Sequence, residues 1–323
     1  MGLSPTERRG TLSRRGAGHE PRAILAGLVA RVQLVRDPAT LLLPCSCPVL
    51  APSRLPDPEM PTKIEETAAL IADARLARAP LALLPDALRP ADEATAYAVQ
   101  ARVHERLAED RYGRRIGWKI GCTTPVMQTY LGIPNPCGAG LFEGTTHRSG
   151  AIVPAAGFIQ LGIECEIAVR LGRDLEPGTT PFRAEDMAGA VESVMAAIEL
   201  VDDRYADWRK TDTPTLIADD FFAAGSVLGA PHSLDDIPDL ATLTGVTRIN
   251  GAEVARGSGA DVLGHPFNAL AWLANSLAGR GSRIRAGEIV LTGSLVATRW
   301  LKPGDAVEIE ITGLGRVAMA VSE

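Results

Sequence analysis

The pattern of apolar residues changes near residue 112, and no other feature of this sequence limits the possible folds as strongly. Residues 64–107 are rich in alanine, and their apolar positions recur at spacings of three and four, which predicts helices. Beyond Tyr112 the apolar residues fall in short β-prone runs that glycine and proline interrupt. Helices followed by many short strands predict the α+β class with a central sheet.

Several elements can be placed within this plan. Prolines near residue 85 separate a first helix from a second one, which is expected over about residues 91–110. A further helix is expected over about residues 183–194, and it leads into a buried strand at 196–201.

The last third of the chain carries the signals of tight turns. Asn250-Gly251 suits a two-residue type I′ turn between two strands. The residues at 301–305 form a second turn signal before a strand at 306–311. Between the two turns an apolar helix is expected to begin at His265-Pro266, with His265 as its cap, and to end at Gly279.

Residues 1–59 differ from the rest of the chain in charge and composition. They carry eight arginines against five acidic residues, a net charge of +3, and the remainder carries −9. Their frequent prolines oppose regular structure. Three interpretations stay open: upstream translation of a gene that starts at Met60, a disordered appendage, or an arginine-rich transit peptide. Residues 60–323 are the predicted catalytic domain, with a helical part at 60–112 and a β-rich core at 113–323.

The overall composition favours small-molecule chemistry. The 323 residues are 46% apolar and carry a net charge of −6, so they can build a core but lack the basic field that attracts nucleic acid. The apolar stretch at 23–43 is interrupted by charged residues and cannot form a clean membrane span of about 20 residues. Five cysteines and no visible secretory leader argue against a disulfide framework and predict a cytoplasmic protein.

Two glutamates in one β-prone run form the first candidate site. In a strand over residues 163–167, Glu164 and Glu166 point to one face, roughly 6.5–7 Å apart along the chain. Their carboxylates repel each other unless solvent or a cation lies between them. The pair is therefore either the exposed face of an amphipathic strand or part of a cation site.

A third glutamate, Glu199, is embedded in the apolar residues of the strand expected at 196–201. A buried carboxylate must be paired, hydrogen-bonded or bound to a metal, because burying it without a partner is costly. Three carboxylates from two strands would form an all-oxygen site that suits Mg²⁺ or Mn²⁺ better than zinc. In the alternative interpretation, Glu199 pairs with a structural arginine such as Arg204.

Lys119 is a further candidate because this chain uses lysine rarely: only four of its 33 basic residues are lysines. It lies among glycines and apolar residues at 117–121. An ammonium group whose pKa responds to burial can transfer a proton, whereas a guanidinium cannot. A surface lysine on an edge strand is the other interpretation.

Other catalytic motifs are missing from the sequence. It contains no phosphate-binding Gly-x-x-x-x-Gly-Lys-Ser/Thr loop, no dinucleotide-binding Gly-x-Gly-x-x-Gly after a strand, no His-Glu-x-x-His and no Gly-x-Ser-x-Gly elbow. Nucleotide-binding and serine-hydrolase functions are accordingly disfavoured.

These pieces, in this order, resemble the 2-keto-4-pentenoate (2-hydroxypenta-2,4-dienoate) hydratases and the related 4-oxalocrotonate decarboxylases of the fumarylacetoacetate hydrolase superfamily. The resemblance covers about residues 64–322. Its landmarks include Gly117-Trp-Lys-Ile-Gly-Cys-Thr-Thr-Pro125, Ile163-Glu-Cys-Glu-Ile-Ala168, Ile198-Glu-Leu-Val-Asp-Asp-Arg204, Ile217-Ala-Asp-Asp220 and Ala286-Gly-Glu-Ile-Val-Leu-Thr-Gly-Ser294. Each landmark alone is weak, but their ordered combination is specific.

The resemblance implies an N-terminal helical region and a mixed β-roll or barrel-like core that assembles into homo-oligomers, in some cases with an aldolase or a homologous decarboxylase or hydratase. It implies that Mg²⁺ or Mn²⁺ is held by Glu164, Glu166 and Glu199, and that Lys119 and Asp220 are catalytic. The residues that it implies on the substrate side are Thr123, Cys137, Phe222, Thr292, Gly293 and Ser294.

The activity implied by the resemblance is hydration of a 2-hydroxy-2,4-dienoate to a 4-hydroxy-2-oxoacid in aromatic-compound catabolism, with decarboxylation of the 4-oxalocrotonate type as the alternative. Three segments depart from the hydratase pattern. Gln160-Leu-Gly-Ile163 lacks the Arg often found before the pair of glutamates. Pro136-Cys137-Gly138-Ala139 replaces Pro-Asp-aromatic-Gly, and Ala218-Asp-Asp-Phe-Phe222 replaces Ala-Asp-Asn followed by small residues. These departures motivate a second hypothesis, a catalytically degraded partner subunit. Hydrolysis of a C–C bond is less favoured, because hydrolases of this superfamily more often present Asp as the third ligand.

Overall fold

The computed structural model of the chain describes residues 60–323, and the expected extension at residues 1–59 lies outside the described residues. The α-helices of the described part are Met60–Ala77 (α1), Glu93–Ala108 (α2), Pro125–Leu131 (α3), Thr213–Ala218 (α4) and Pro266–Ala278 (α5). None of the helices between Met60 and Glu323 is long and apolar enough to cross a membrane.

Thirteen strands are present in the same part of the chain. They are Arg115–Gly121 (β1), Cys137–Phe142 (β2), Thr146–Arg148 (β3), Ala151–Pro154 (β4), Leu161–Leu171 (β5), Val191–Asp202 (β6), Ala223–Leu228 (β7), Thr244–Ile249 (β8), Ala252–Ser258 (β9), Ile289–Ser294 (β10), Arg299–Trp300 (β11), Ala306–Ile311 (β12) and Gly315–Ser322 (β13).

The strands form two mixed sheets. The larger has the order β2-β1-β10-β5-β6-β7-β3, with β11 paired to β5, and the smaller has the order β4-β13-β12-β8-β9. The pairs β1–β10, β3–β7 and β4–β13 are parallel, and the other pairs are antiparallel. The predicted α+β class and mixed, roll-like core are confirmed. Within the described residues the larger sheet ends at β2 and β3 and does not close into a barrel.

Two large apolar clusters, and a smaller one that contains Met195, hold the elements together. The first contains side chains of both sheets and of α5, for example Ile167, Ile309 and Leu270. The second joins α1, α2 and α4 to the edge of the larger sheet, and it includes Ile71 and Val103. Because the side chains of these clusters are removed from water, burial of apolar surface is the main force that fixes the two sheets and the helices around them.

Most of the local predictions are confirmed. Helix α2 begins after Asp92, whose side chain accepts a hydrogen bond from the Thr95 backbone N–H. Asn250 and Gly251 both have positive φ, 53° and 81°, as a type I′ turn between β8 and β9 requires. Helix α5 begins at Pro266, and the Phe267 N–H donates to Nδ1 of His265, which is therefore its cap.

The helix expected at residues 183–194 is wrong. The chain there makes two short 3-10 turns, Ala184–Asp186 and Ala188–Ala190, and then enters β6 at Val191. Strand β6 is buried on both faces, since Val194 packs in the first cluster and Met195 in a separate one. A strand with two buried faces shows a continuous apolar run instead of alternation, and such a run cannot be told from a helix by periodicity.

Candidate active site

Three glutamates converge on one face of the larger sheet. Strands β5 and β6 are antiparallel, with Glu164 directly opposite Glu199 and Glu166 opposite Ala197. Because alternate residues of a strand share a face, Glu164 and Glu166 point the same way and Glu199 joins them across the ladder. One carboxylate oxygen from each residue lies within 4.8 Å of the others.

These carboxylates are buried and incompletely satisfied. Glu166 is 0% exposed and Glu199 1% exposed. The backbone N–H of Gly293 donates to Glu166 Oε2 at 2.7 Å, and the Thr298 hydroxyl donates to Glu164. Among the residues that the structure describes, Glu166 Oε1 and Glu199 Oε2 have no hydrogen-bond partner. The two orphaned oxygens are available to a ligand.

The electrostatics of the three carboxylates point to a cation. Burial, with repulsion from Glu199, raises the pKa of Glu164 to about 7. Burial, with repulsion from Glu199 and Glu164, raises the pKa of Glu166 well above its ordinary value. An anionic, all-oxygen donor set is the type that hard divalent cations bind. The residues present therefore fit a divalent metal ion.

Lys119 faces the same cluster from β1. Its Nζ lies 3.0 Å from Glu199 Oε1 and donates a hydrogen bond to the Phe221 carbonyl at 2.8 Å. Burial alone would lower the pKa of Lys119, but the carboxylates of Glu199 and Glu164 outweigh it and keep the pKa above its ordinary value. Strand β1 lies between β2 and β10, and the side chain is 3% exposed, so the interpretation as a surface lysine on an edge strand is wrong.

The carbonyl that Lys119 contacts belongs to an unusual turn. Asp220, Phe221 and Phe222 have φ values of 56°, 47° and 65°, three successive left-handed residues without a glycine. This conformation is unfavourable for residues with a Cβ and persists only where the surroundings enforce it. We refer to Asp220–Phe222 as the left-handed turn.

Buried ionic contacts of Asp219 hold the start of this turn. Asp219 Oδ1 lies 2.6 Å from Arg75 Nε and 2.6 Å from Arg204 Nη2, and the Tyr205 hydroxyl donates to Oδ2 at 2.7 Å. Arg204 therefore pairs with Asp219, and the alternative in which it neutralises Glu199 is wrong. The carboxylate of Asp219 is satisfied, unlike those of Glu166 and Glu199.

Asp220 makes the second anchor of the left-handed turn. Its Oδ1 lies 2.6 Å from His104 Nε2 and accepts a hydrogen bond from the Gly140 N–H at 3.1 Å. Burial alone would raise the pKa of Asp220, but His104 and Arg75 outweigh it and the pKa is lowered. Sequence reasoning did not find His104, because its partner lies 116 residues away along the chain.

A cavity of about 490 Å³ opens above Lys119 and Glu164. Of the residues predicted on the substrate side, Thr123, Phe222 and Ser294 line it. Apolar side chains that sequence reasoning missed complete the wall, among them Met127, Trp208, Val296 and Trp300. No motif marked these residues, since they come from loops and elements far apart in the sequence.

Other predicted residues support the cavity from behind instead of lining it. Glu166 and Glu199 are buried beside Glu164 and do not line the cavity, and Gly293 serves as a backbone donor to Glu166. The Thr292 hydroxyl donates to the Ile167 carbonyl, which ties β10 to β5.

Two further predicted residues also lie away from the cavity. Cys137 is 0% exposed in the apolar cluster under α2, opposite Gly121 in the ladder, and does not line the cavity. Asp220 does not line it either and acts on the left-handed turn. Thus Cys137, Thr292 and Gly293, which were predicted on the substrate side, do not line the cavity, and neither does Asp220, which was predicted to be catalytic.

Known proteins match the chain in sequence. Residues 142–322 match the family model described as fumarylacetoacetate (FAA) hydrolase C-terminal. A 2-keto-4-pentenoate hydratase of Paraburkholderia phymatum is 38% identical over 264 residues, which cover 81% of this chain and 98% of the relative. A 4-oxalocrotonate decarboxylase of Pseudomonas putida is 34% identical over 227 residues, covering 70% of this chain and 84% of that protein.

A solved structure is also similar. It is described as the 4-oxalocrotonate decarboxylase from Pseudomonas putida G7 complexed with magnesium and adipate. It aligns with a TM-score of 0.76 at 30% sequence identity, over 81% of this chain and 98% of the other. The similarity extends across almost all of the described residues.

Proposed function

Because this chain belongs to the fumarylacetoacetate hydrolase family, we propose that it is a divalent-metal-dependent lyase that hydrates a 2-hydroxy-2,4-dienoate to a 4-hydroxy-2-oxoacid in aromatic-compound catabolism. The observation that carries the proposal is the group of Glu164, Glu166 and Glu199 beside Lys119, of which Glu164 and Lys119 line one cavity. The hydratase that is 38% identical over nearly its whole length supports the reaction type.

The metal site would consist of Glu164, Glu166 and Glu199. Their oxygen ligands and net negative charge favour Mg²⁺ or Mn²⁺ over softer metals. A bound divalent cation supplies an electrophile that stabilises negative charge on the carboxylate and C2 oxygen of the substrate. The Gly293 N–H holds Glu166, and the Thr298 hydroxyl holds Glu164.

Lys119 is the proposed proton-transfer group. Conversion of the 2-hydroxydienoate to its 2-oxo form moves a proton from the C2 hydroxyl to the carbon chain, and water then adds at C4 of the conjugated ketone. Lys119 Nζ is oriented by the Phe221 carbonyl and by Glu199, and the side chain lines the floor of the cavity, where it can carry that proton. The left-handed turn fixes the position of the Phe221 carbonyl.

Decarboxylation is the second candidate. The similarity to a 4-oxalocrotonate decarboxylase, with a TM-score of 0.76, favours it. When the far carboxylate of 4-oxalocrotonate leaves as CO₂, its electron pair delocalises through the conjugated chain onto the C2 oxygen. The same site would stabilise that charge, so both reactions use the same floor of the cavity. They differ in product, since only decarboxylation releases CO₂.

A spectrophotometric screen separates the candidates. The enzyme is loaded with Mg²⁺ or Mn²⁺ and offered 2-hydroxydienoates and 4-oxalocrotonate, with the conjugated chromophore and CO₂ both followed. We expect loss of the chromophore, a 4-hydroxy-2-oxoacid product and no CO₂. CO₂ release would establish the decarboxylase instead, and full turnover in a chelator-treated enzyme would contradict a metal-dependent reaction.

Glu166→Gln tests the site directly. The substitution removes a negative charge while keeping the shape of the side chain, so we expect a drop in kcat of about a hundredfold or more, with a fold unchanged by circular dichroism. Glu253→Gln, on an exposed position of β9, is the matched control and should keep wild-type activity. Equal activity in the two variants would show that Glu166 does not contribute to the active site.

We also propose that the chain acts as a homo-oligomer in the cytoplasm, as the family resemblance implies. Light scattering coupled to gel filtration measures the assembly, and copurification tests association with an aldolase or a homologous hydratase or decarboxylase. A homologous active chain that copurifies, together with no turnover by this chain alone, would favour the degraded-partner hypothesis.

A further inference from the structure

The wall of the cavity differs sharply from its floor. The floor presents Lys119 and Glu164, whereas the wall consists mainly of the carbon surfaces of Trp208, Phe222, Val296 and Trp300. The aromatic part of this wall is preformed, because Phe222 packs edge-on against Tyr205 and Trp208, with ring centroids 5.4 and 5.8 Å away. The lining therefore combines the charged pair Lys119 and Glu164 with a mainly apolar surface.

The part of the cavity lining that the structure describes provides no free cationic side chain that could pair with a second carboxylate of the substrate. Among the described residues that line the cavity, Lys119 is the only cationic side chain, and it is already paired with Glu199. Apart from Glu164, the other carboxylate of the lining is that of Asp261. Asp261 accepts hydrogen bonds from the backbone and hydroxyl of Ser258 and so is held in place.

This distribution of charge limits which chemical group the substrate can carry at the end that lies away from Lys119 and Glu164. A second carboxylate in the cavity would meet mainly carbon atoms, the hydroxyls of Thr123 and Thr124 and the Asp261 carboxylate, and it would lose hydration without gaining a counter-ion. An alkyl or aryl group in the same place would bury apolar surface against the aromatic wall. A cavity of about 490 Å³ also falls in the size range of pockets that take ligands larger than a five-carbon acid.

On the basis of the proposed function, we infer that the substrate is a monocarboxylate whose far end carries an apolar alkyl or aryl substituent and no second carboxylate. The floor of the cavity selects the 2-hydroxy or 2-oxo acid group, and the wall selects the tail. This assignment separates the substrate from dicarboxylates such as 4-oxalocrotonate.

Binding of ligands that cannot react tests the inference without turnover. 2-Oxohexanoate and 2-oxoadipate have the same carbon chain but end in a methyl group and a carboxylate, and neither has a double bond to hydrate. Calorimetry with the Mg²⁺-loaded enzyme should show at least about tenfold tighter binding of 2-oxohexanoate. A phenyl group added to its end should tighten binding further. Equal or tighter binding of 2-oxoadipate would overturn the inference.

A charge placed in the wall should change this preference. Trp300 lines the cavity and is 46% exposed, so an arginine can be accommodated there. Trp300→Arg should raise the affinity for 2-oxoadipate about tenfold and weaken that for 2-oxohexanoate, whereas Trp300→Phe should keep the wild-type order. Ile152→Arg, on a side chain of β4 that is 71% exposed and outside the cavity lining, adds the same charge as a control. A similar gain in affinity in both arginine variants would show that the effect of the charge is non-specific. It would contradict the inference that the wall of the cavity selects the tail of the substrate.

The two proposals can fail separately. Tighter binding of 2-oxohexanoate with no turnover of any dienoate would overturn the proposed reaction alone. Turnover of 4-oxalocrotonate at the rate of apolar dienoates would overturn the inferred substrate class and leave the metal-dependent lyase in place.

Discussion

His104 shows how a single side chain can act on a site that it does not touch. It contacts Asp220, Asp220 begins the left-handed turn, and the turn presents the Phe221 carbonyl to Lys119. Because three left-handed residues in succession are unfavourable, the turn depends on its buried anchors. The geometry around Lys119 is therefore set partly from α2.

His104→Ala should weaken both the fold and the site. Removing one partner of a buried pair leaves Asp220 uncompensated, and we expect a loss of about 3 kcal/mol in the free energy of unfolding, measured by urea denaturation. His104→Gln keeps a nitrogen at a similar reach and should recover part of both stability and kcat. His147→Ala, on β3, is the control. If the alanine and glutamine variants behaved alike, the contact with Asp220 would not be what holds the turn.

At the scale of residues, the candidate site residues could be predicted from the sequence. The contacts between residues far apart in the chain could not. Glu164, Glu166, Glu199 and Lys119 stood out because charged groups in apolar, β-prone runs demand an explanation, and the structure brings all four together. No sequence pattern marked the contact between His104 and Asp220. It depends on two elements that meet only in the folded chain.

Among the elements, β10 is important because its ladder with β5 shifts register between Leu291 and Ser294. At this irregularity Gly293 adopts a φ of 124°, and its N–H turns toward Glu166. A Cβ at Gly293 would lie 2.6 Å from the Thr123 side chain. The glycine thus allows the strand to pass close to Thr123 while donating to a proposed metal ligand.

Gly293→Ala should accordingly damage stability and metal binding together. We expect a loss of about 1–3 kcal/mol from the positive φ and the steric clash, and a weaker affinity for Mg²⁺ because Glu166 loses its donor geometry. Thermal denaturation and calorimetry measure the two effects. Gly189→Ala is the matched control, since an added Cβ there meets nothing within 4 Å. Unchanged Mg²⁺ affinity in Gly293→Ala would show that the N–H does not support the site.

The elements also show where sequence patterns mislead. The caps and turns at Asp92, Asn250 and His265 were predictable because each is a local interaction between close neighbours. The start of β6 at Val191 was not, since burial on both faces is decided by the sheets on either side. Most of the apolar wall of the cavity could not be predicted either, because its side chains come from segments that meet only in the folded chain.

For the whole molecule, the excess of buried negative charge links stability to pH. The pKa of Glu164 is raised to about 7 from an ordinary value of 4.5, by burial first and then by Glu199. A raised pKa in the folded state contributes stability below the ordinary value, and that contribution is lost as pH rises through the raised one. The metal-free protein should therefore lose stability between about pH 4.5 and 7 through this group.

Divalent metal should reverse that trend. Ligands bind metal in their ionised form, so the rise in Tm on adding Mg²⁺ should grow as pH increases over the same interval. At a hundredfold excess over Kd, the stabilisation would reach about 2.7 kcal/mol. Differential scanning fluorimetry at several pH values, with and without Mg²⁺, measures it, and Glu253→Gln should behave as wild type. A Tm shift that is independent of pH, or absent, would contradict a metal site made of these carboxylates.

The proposed ligands all come from the adjacent strands β5 and β6, whereas most of the apolar wall comes from side chains outside these two strands, such as Met127, Trp208 and Trp300. Substitutions can therefore accumulate in the wall without disturbing the atoms that would hold the cation. With this arrangement, related enzymes can evolve to accept substrates that carry different tails on the same acid group, while the residues that bind the reactive end stay unchanged. New substrate ranges could then arise by single steps, each of which leaves a working catalyst.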